Sequence, residues 1–281
     1  MTNHAITGRT ELVAHIGYPT EAFKAPMIYN PWFASRGIDA VVAPMAVEPA
    51  DYPDVLRAVF RMRNVRGALV TMPHKVATAA LVGALSTTAA IAGSCNAVRR
   101  QPDGTLLGDM FDGEGFVRGV RRKGQVLAGA RALVKGAGGV GCAIAASLAA
   151  AGVAALGLSD TAPAAADALA ARLRQHYPAL DVSTGCGDPD GYDVLVNATP
   201  LGMRAGDALP FDVARIAPGT FVGEVVMAEE YTPLLRAARD LGCPVQVGAD
   251  MLFEMIPAYL EFFGFGTATP EELRAGAELG Y

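Results

Sequence analysis

Apolar and polar positions along this chain alternate between two periods. Residues 11–17 (ELVAHIG) form a short apolar run with the length of a strand. The stretch 26–36 has helical spacing with Pro26 in its first turn, and 38–47 reads as a strand running into a turn. Helical periodicity with an acidic start covers 51–63. The run 67–71 is a buried strand, and 76–85 is a helix. Residues 97–100 and 105–108 flank Pro102-Asp103-Gly104, which predicts a hairpin, and 112–122 reads as a helix. A second unit begins near Gly124. It has strands at 130–135, 154–158, 193–198, 220–226 and 244–247, and helices at 138–151 and 162–176. An apolar helix, 250–263, ends the pattern. Strands alternating with helices predict βαβ units and parallel sheets. The fold expected is α/β in two domains. The first covers 1–111 and is completed by carboxyl-terminal helices within 250–281. The second, over 112–249, has the alternation of a Rossmann-type, doubly wound domain.

Composition narrows the function. With 281 residues, 52% hydrophobic and 18% charged, the chain has material for a large core. A net charge of −5 with no basic cluster argues against nucleic acid. Cys95, Cys142, Cys186 and Cys243 are widely spaced, with no metal-ligand spacing, so no metal is expected. Free thiols fit a reducing, cytoplasmic setting. The amino terminus shows no basic segment followed by an apolar core, so no secretory leader is expected. The run 140–158 is apolar enough for a membrane span. Gly141, Gly152 and Gly157 within it favour a buried helix leading into a buried strand, and no membrane partner is expected.

Two motifs carry candidate chemistry. Gly136, Gly138, Gly139, Val140 and Gly141 lie in a GxGxxG segment that follows a strand and opens a helix. There the glycines let pyrophosphate approach the helix amino terminus. The next strand ends at Asp160, whose carboxylate can accept from ribose hydroxyls and would repel a 2′-phosphate. No arginine adjoins it, so NAD is expected over NADP. A simple helix cap is the structural alternative for Asp160. The second motif is Val70-Thr71-Met72-Pro73-His74-Lys75, which places a lysine just past a strand, where open α/β sheets bind ligands.

The motifs, taken in order, resemble the shikimate/quinate dehydrogenase family across nearly the whole chain. Gly17-Tyr18-Pro19 with Pro26 and Asn30 looks like its first block. VTMPHK matches VTxPxK, and Gly93 to Val98 is similar to GAxNTV. Gly108 to Gly113 is similar to GxNTDG, and Asn197 to Met203 matches NATPLGM. Thr232 to Leu235 and Gly248 to Leu252 match the last two blocks. The resemblance implies that 1–111 is a substrate-binding catalytic domain and 112–249 a dinucleotide-binding one, that Lys75 is the acid/base, with Asp112 its partner, and that Thr71 and Asn96 contact substrate. It also implies that Thr199, Pro200, Met203, Val225, Gly248, Met251 and Leu252 line the dinucleotide, together with the glycine loop.

The chain departs from the family pattern where substrate is held. Two serines that grip the substrate carboxylate are Phe23 and Ala25 here. Met110 and Phe111 replace the residues before Asp112, Met227 stands for a tyrosine and Met255 for a glutamine. Each lost hydrogen bond costs about 1–3 kcal/mol. The expected substrate is therefore a shikimate-like or less polar cyclic hydroxy acid, oxidised or reduced with NAD. An ordinary shikimate or quinate dehydrogenase is the alternative, and a non-catalytic NAD-binding regulator is a third reading. A monomer or homodimer is expected.

Overall fold

The computed structural model describes residues 5–278; the first four residues, part of the stretch read above for a leader, and the last three lie outside the description. The chain divides into two compact units, Met1–Phe111 with Ile256–Tyr281, and Asp112–Met255.

The first unit runs β1 (Glu11–Gly17), α1 (Ala25–Arg36), β2 (Ala40–Ala46), α2 (Tyr52–Val59), β3 (Val65–Val70), α3 (Lys75–Leu81), β4 (Ala84–Leu85), α4 (Thr87–Ala92), β5 (Ala97–Arg100) and β6 (Leu106–Asp109). Its sheet has the order β2-β1-β3-β5-β6-β4. β1 pairs in parallel with both β2 and β3. The connection from β1 to β2 goes to one side of β1 and that from β2 to β3 crosses back to the other, the arrangement in which open α/β sheets bind ligands at the carboxyl ends of the strands. One face of the sheet buries Ala14, Ile16, Ala68 and Val70 with Tyr52, Leu56 and Val59 of α2. A fully buried side chain such as Leu56 contributes about 1.5–3 kcal/mol. α1 buries Ile28, Tyr29, Trp32 and Phe33, and stops at Gly37, whose left-handed φ of 64° lets its N–H close on the last turn.

Two helices are shorter than the sequence suggests. α2 stops at Val59, because Arg61, Met62 and Arg63 are exposed and offer no buried face. α3 stops at Leu81, because Val82 is extended and Ala84–Leu85 pair with β6 as an edge strand. The expected hairpin is present, β5 pairing antiparallel with β6.

The second unit contains α5 (Asp112–Arg122), β7 (Arg131–Lys135), α6 (Gly139–Ala150), β8 (Ala155–Ser159), α7 (Pro163–His176), β9 (Asp181–Thr184), β10 (Val194–Asn197), β11 (Phe221–Glu224), α8 (Pro233–Asp240) and β12 (Val245–Gln246). α9 (Gly248–Phe263) and α10 (Pro270–Gly276) complete the chain. The second sheet has the order β12-β11-β10-β7-β8-β9, and every pairing is parallel. That is the doubly wound dinucleotide-binding order, with its switch point between β7 and β10. The apolar run 140–158 is α6 leading into β8. α6 is buried on nearly all sides, as an interior helix is. No helix among the described residues is long and apolar enough to cross a membrane.

Candidate active site

Gly17 ends β1 in a confined place. A Cβ there would lie 2.5 Å from Thr71 Cγ2 and 2.6 Å from Phe23 Cζ, so glycine lets these two side chains meet over the strand end. Phe23 stacks on His15 with ring centroids 4.0 Å apart. Ala25 opens α1 and is half-buried, with Lys24 before it at the cap position. Lys75 is half-buried at the first position of α3.

The turn that carries Lys75 is held from several sides. Its carbonyl accepts from the Cys95 N–H at 2.9 Å, and the His74 N–H donates to the Thr71 carbonyl at 2.9 Å. The buried His74 ring stacks on Tyr52 at 4.0 Å, and its Nε2–H donates to the Val47 carbonyl at 2.8 Å. Val47 in turn donates its N–H to the Gly17 carbonyl at 3.0 Å. Thr78 closes the set, its hydroxyl 2.6 Å from the Tyr52 hydroxyl. Burial pushes the Tyr52 hydroxyl and the Cys95 thiol up to about 12, so both stay protonated at neutral pH. Asn96 is buried and its Oδ1 accepts from the Phe111 N–H at 2.9 Å. Met110 is buried at 1% exposure, a packing position. Phe111 packs edge-on against Tyr259 and Phe262.

In the second unit, the buried Asp112 opens α5. This helix lies close on α6: a Cβ at Gly113 would come within 2.0 Å of the Ala143 carbonyl. The glycine loop sits at the switch point. Gly136 has φ 107°, and a Cβ on it would meet the Ala198 carbonyl at 2.6 Å. A Cβ on Gly141 would meet the Gly136 carbonyl at 1.9 Å, whereas Gly138 and Gly139 face open space. Val140 follows in the first turn of α6. The Asp160 carboxylate accepts from the Ala137 N–H at 2.6 Å and the Ala162 N–H at 2.8 Å. These bonds hold it below the ordinary carboxylate range, so it stays anionic. Asp160 therefore braces the glycine loop. Residue Ala162, not Asp160, is the cap position of α7.

Across the switch point, Asn197 accepts from the Thr199 N–H at 3.1 Å and hydroxyl at 2.6 Å, and donates to the Leu201 carbonyl at 2.9 Å. The Val225 N–H donates to the Asn197 carbonyl at 3.2 Å. Glu224, fully buried beside Asn197, has its carboxyl pushed up by burial. Gly248 begins α9 where a Cβ would strike the Val226 carbonyl at 2.1 Å. Met251 is buried and Leu252 half-buried on that helix; Pro200, Met203 and Met227 are exposed. Met255 packs α9 onto α5, its Cβ 2.6 Å from where a Gly115 Cβ would lie. The open glycines, the close backbone approach and the braced carboxylate fit a dinucleotide. Among the described residues no cluster could hold a metal ion. The four cysteines are free.

A family model for the shikimate dehydrogenase substrate binding domain matches residues 15–98. A shikimate dehydrogenase (NADP(+)) of Rubrobacter xylanophilus is 39% identical over 254 residues, 88% of either chain. The chain belongs to the shikimate dehydrogenase family. Among solved structures, a shikimate 5-dehydrogenase of Listeria monocytogenes in complex with shikimate and NAD superposes with a TM-score of 0.88. It is 26% identical and covers 96% of this chain and 97% of its own. A quinate dehydrogenase of Corynebacterium glutamicum in complex with NAD has a TM-score of 0.82 at 28% identity, covering 95% and 98%. A ligand-free 5-ketofructose reductase of a Gluconobacter strain reaches 0.86 at 25% identity, covering 96% and 98%. The expectation of NAD over NADP finds no support in the curated family members, whose names give NADP(+).

His15 lies in this site and no motif in the sequence points to it. A single histidine in an apolar strand reads as a core residue until its ring is seen against Phe23.

Proposed function

We propose that this chain is a nicotinamide-dinucleotide oxidoreductase that interconverts a carbinol and a carbonyl on a shikimate-like ring held by a less polar grip. The reading rests on the meeting of Phe23, Gly17 and Thr71 at the carboxyl end of β1, in the same unit as Lys75. An aromatic ring stands there where the family has a carboxylate-binding serine, and Ala25 removes the second. Lys75 takes the proton from the substrate hydroxyl in oxidation and returns it in reduction, and Asp112 is the acidic residue proposed to act with it. Thr71 and Asn96 supply the remaining polar contacts. A bound dinucleotide supplies the hydride acceptor.

NAD is the dinucleotide proposed. The support is the braced, anionic Asp160 at the end of β8, where a 2′-phosphate would meet like charge. Support for the altered substrate also comes from the range of relatives: proteins of this fold and similar sequence are named for quinate and for 5-ketofructose.

The test is the double substitution Phe23→Ser with Ala25→Ser. Restoring both hydroxyls should raise kcat/KM for shikimate by about 10- to 100-fold, mostly through KM. Wild-type turnover of shikimate at least as efficient as that of the double variant would sink the proposal.

A further inference from the structure

His15 and Gly17 are alternate residues of β1, so their side-chain directions share one face of the sheet. On that face a Gly17 Cβ would point at Thr71 and Phe23, and the Phe23 ring lies over the His15 imidazole at 4.0 Å and 26°. The imidazole is thus part of the wall that Phe23 and Thr71 form. It is only 9% exposed, and its Nδ1 has no hydrogen-bond partner among the described residues. His74 shows the contrast. It is more buried still, at 1% exposure, but its Nε2 is bonded to Val47 and its ring is stacked on Tyr52.

A buried polar atom without a partner is unfavourable, and valine or isoleucine would fill this strand position without that cost. An outside partner accounts for the histidine. Burial lowers its pKa to about 4, so the ring is neutral at pH 7 and offers one N–H and one lone pair. That pair of functions suits a hydroxyl or carbonyl oxygen. An anionic carboxylate needs several donors, which serines supply and a Phe, an Ala and a neutral imidazole do not.

We infer that His15 is a specificity-determining residue whose Nδ1 hydrogen-bonds an uncharged oxygen on the substrate, at the end covered by the Phe23 ring. The inference deepens the proposed function and rests on it for the identity of the substrate pocket. It assigns the pocket to carbinols that present an alcohol, ester or ketone at this end.

Shikimate and its methyl ester are the probes, with NAD present. Side-chain 15N spectra of the whole protein should show the His15 Nδ1 resonance moving on addition of the ester, with His74 unmoved. The ester should be preferred over shikimate by about tenfold in kcat/KM. His15→Val should raise KM for the ester about tenfold, leave kcat within about threefold and leave NAD affinity unchanged. His15→Asn, which keeps a polar atom, should recover part of the loss. An unmoved His15 resonance at saturating ester, or an unchanged KM in His15→Val, overturns the inference. So does a wild-type preference for shikimate, or failure of either probe to bind or react. Full turnover in Lys75→Ala with a moving His15 resonance would instead remove the catalytic reading and leave the contact standing.

Discussion

The chain has two candidate sites of the same origin, each at the carboxyl ends of adjacent parallel strands, β1 with β3 and β7 with β10, where the order of the sheet reverses direction. They have been built differently. The one between β7 and β10 is made of backbone: Gly136 beside the Ala198 carbonyl, the open Gly138 and Gly139, and a carboxylate that binds two N–H groups. The one between β1 and β3 is made of side chains, with Phe23, His15 and Thr71 over Gly17. A backbone site tolerates few residues, because a Cβ at Gly136 or Gly141 would collide with a carbonyl. A side-chain site can exchange serine for phenylalanine with the strand beneath it unmoved. On the proposed reading, the common cofactor chemistry belongs to the first kind of site and the particular substrate to the second.

The sharpest break with this comparison lies at Lys75. Lys75→Ala should lower kcat by about 10²- to 10⁴-fold while dinucleotide affinity stays at the wild-type value, measured by nucleotide fluorescence. A parallel loss of dinucleotide binding would show that the two sites do not divide the work. Gly136→Ala attacks the other site. It forces an L side chain to φ 107° and against the Ala198 carbonyl, so a loss of about 1–3 kcal/mol in stability and a clear fall in dinucleotide affinity are expected. Calorimetry with and without NAD reads both, and an unchanged affinity would count against the backbone-built site.

Asp160→Ala should weaken NAD about tenfold and bring NADP level with it or ahead. A wild-type enzyme that already prefers NADP, as the names of its curated relatives have it, would refute the role given to Asp160. The smallest effect concerns acid. His15 ordinarily titrates near 6.5 but only near 4 in the folded chain, so below 6.5 the unfolded chain takes up a proton that the folded one refuses. Stability should fall as pH drops through that window, by at most about 1.4 kcal/mol per unit from this group. His15→Val should flatten the fall in denaturant midpoint between pH 7 and pH 5. Equal slopes would mean that the imidazole is not held neutral by burial.

Much of the architecture was legible in the apolar pattern, since β1, α5 and the β5–β6 hairpin follow it closely. The edge strand β4, the short α4 and β9 escaped because none has a period long enough to recognise. Ala84–Leu85 is a strand only through its pairing with β6. The glycine loop was legible because its requirement is steric and local. Asp160's bracing of Ala137 was not, because the two residues are 23 apart and meet only across β7 and β8. His15 stayed hidden for the opposite reason: its meaning comes wholly from the ring laid over it.

Backbone bonds steady the turn of Lys75 from several sides, the Cys95 N–H donating to the Lys75 carbonyl and the Tyr18 N–H to the Met72 carbonyl, whereas Phe23 closes on Thr20 and Met27 on Lys24 within the loop. The segment that carries Phe23 is thus tied to the turn of Lys75 at its first residue, Tyr18. A change at Phe23 alters what lies beside Thr71 over Gly17 while leaving the Tyr18 bond in place. A loop transplanted from a relative would have to keep that bond, which makes 19–25 the stretch to exchange.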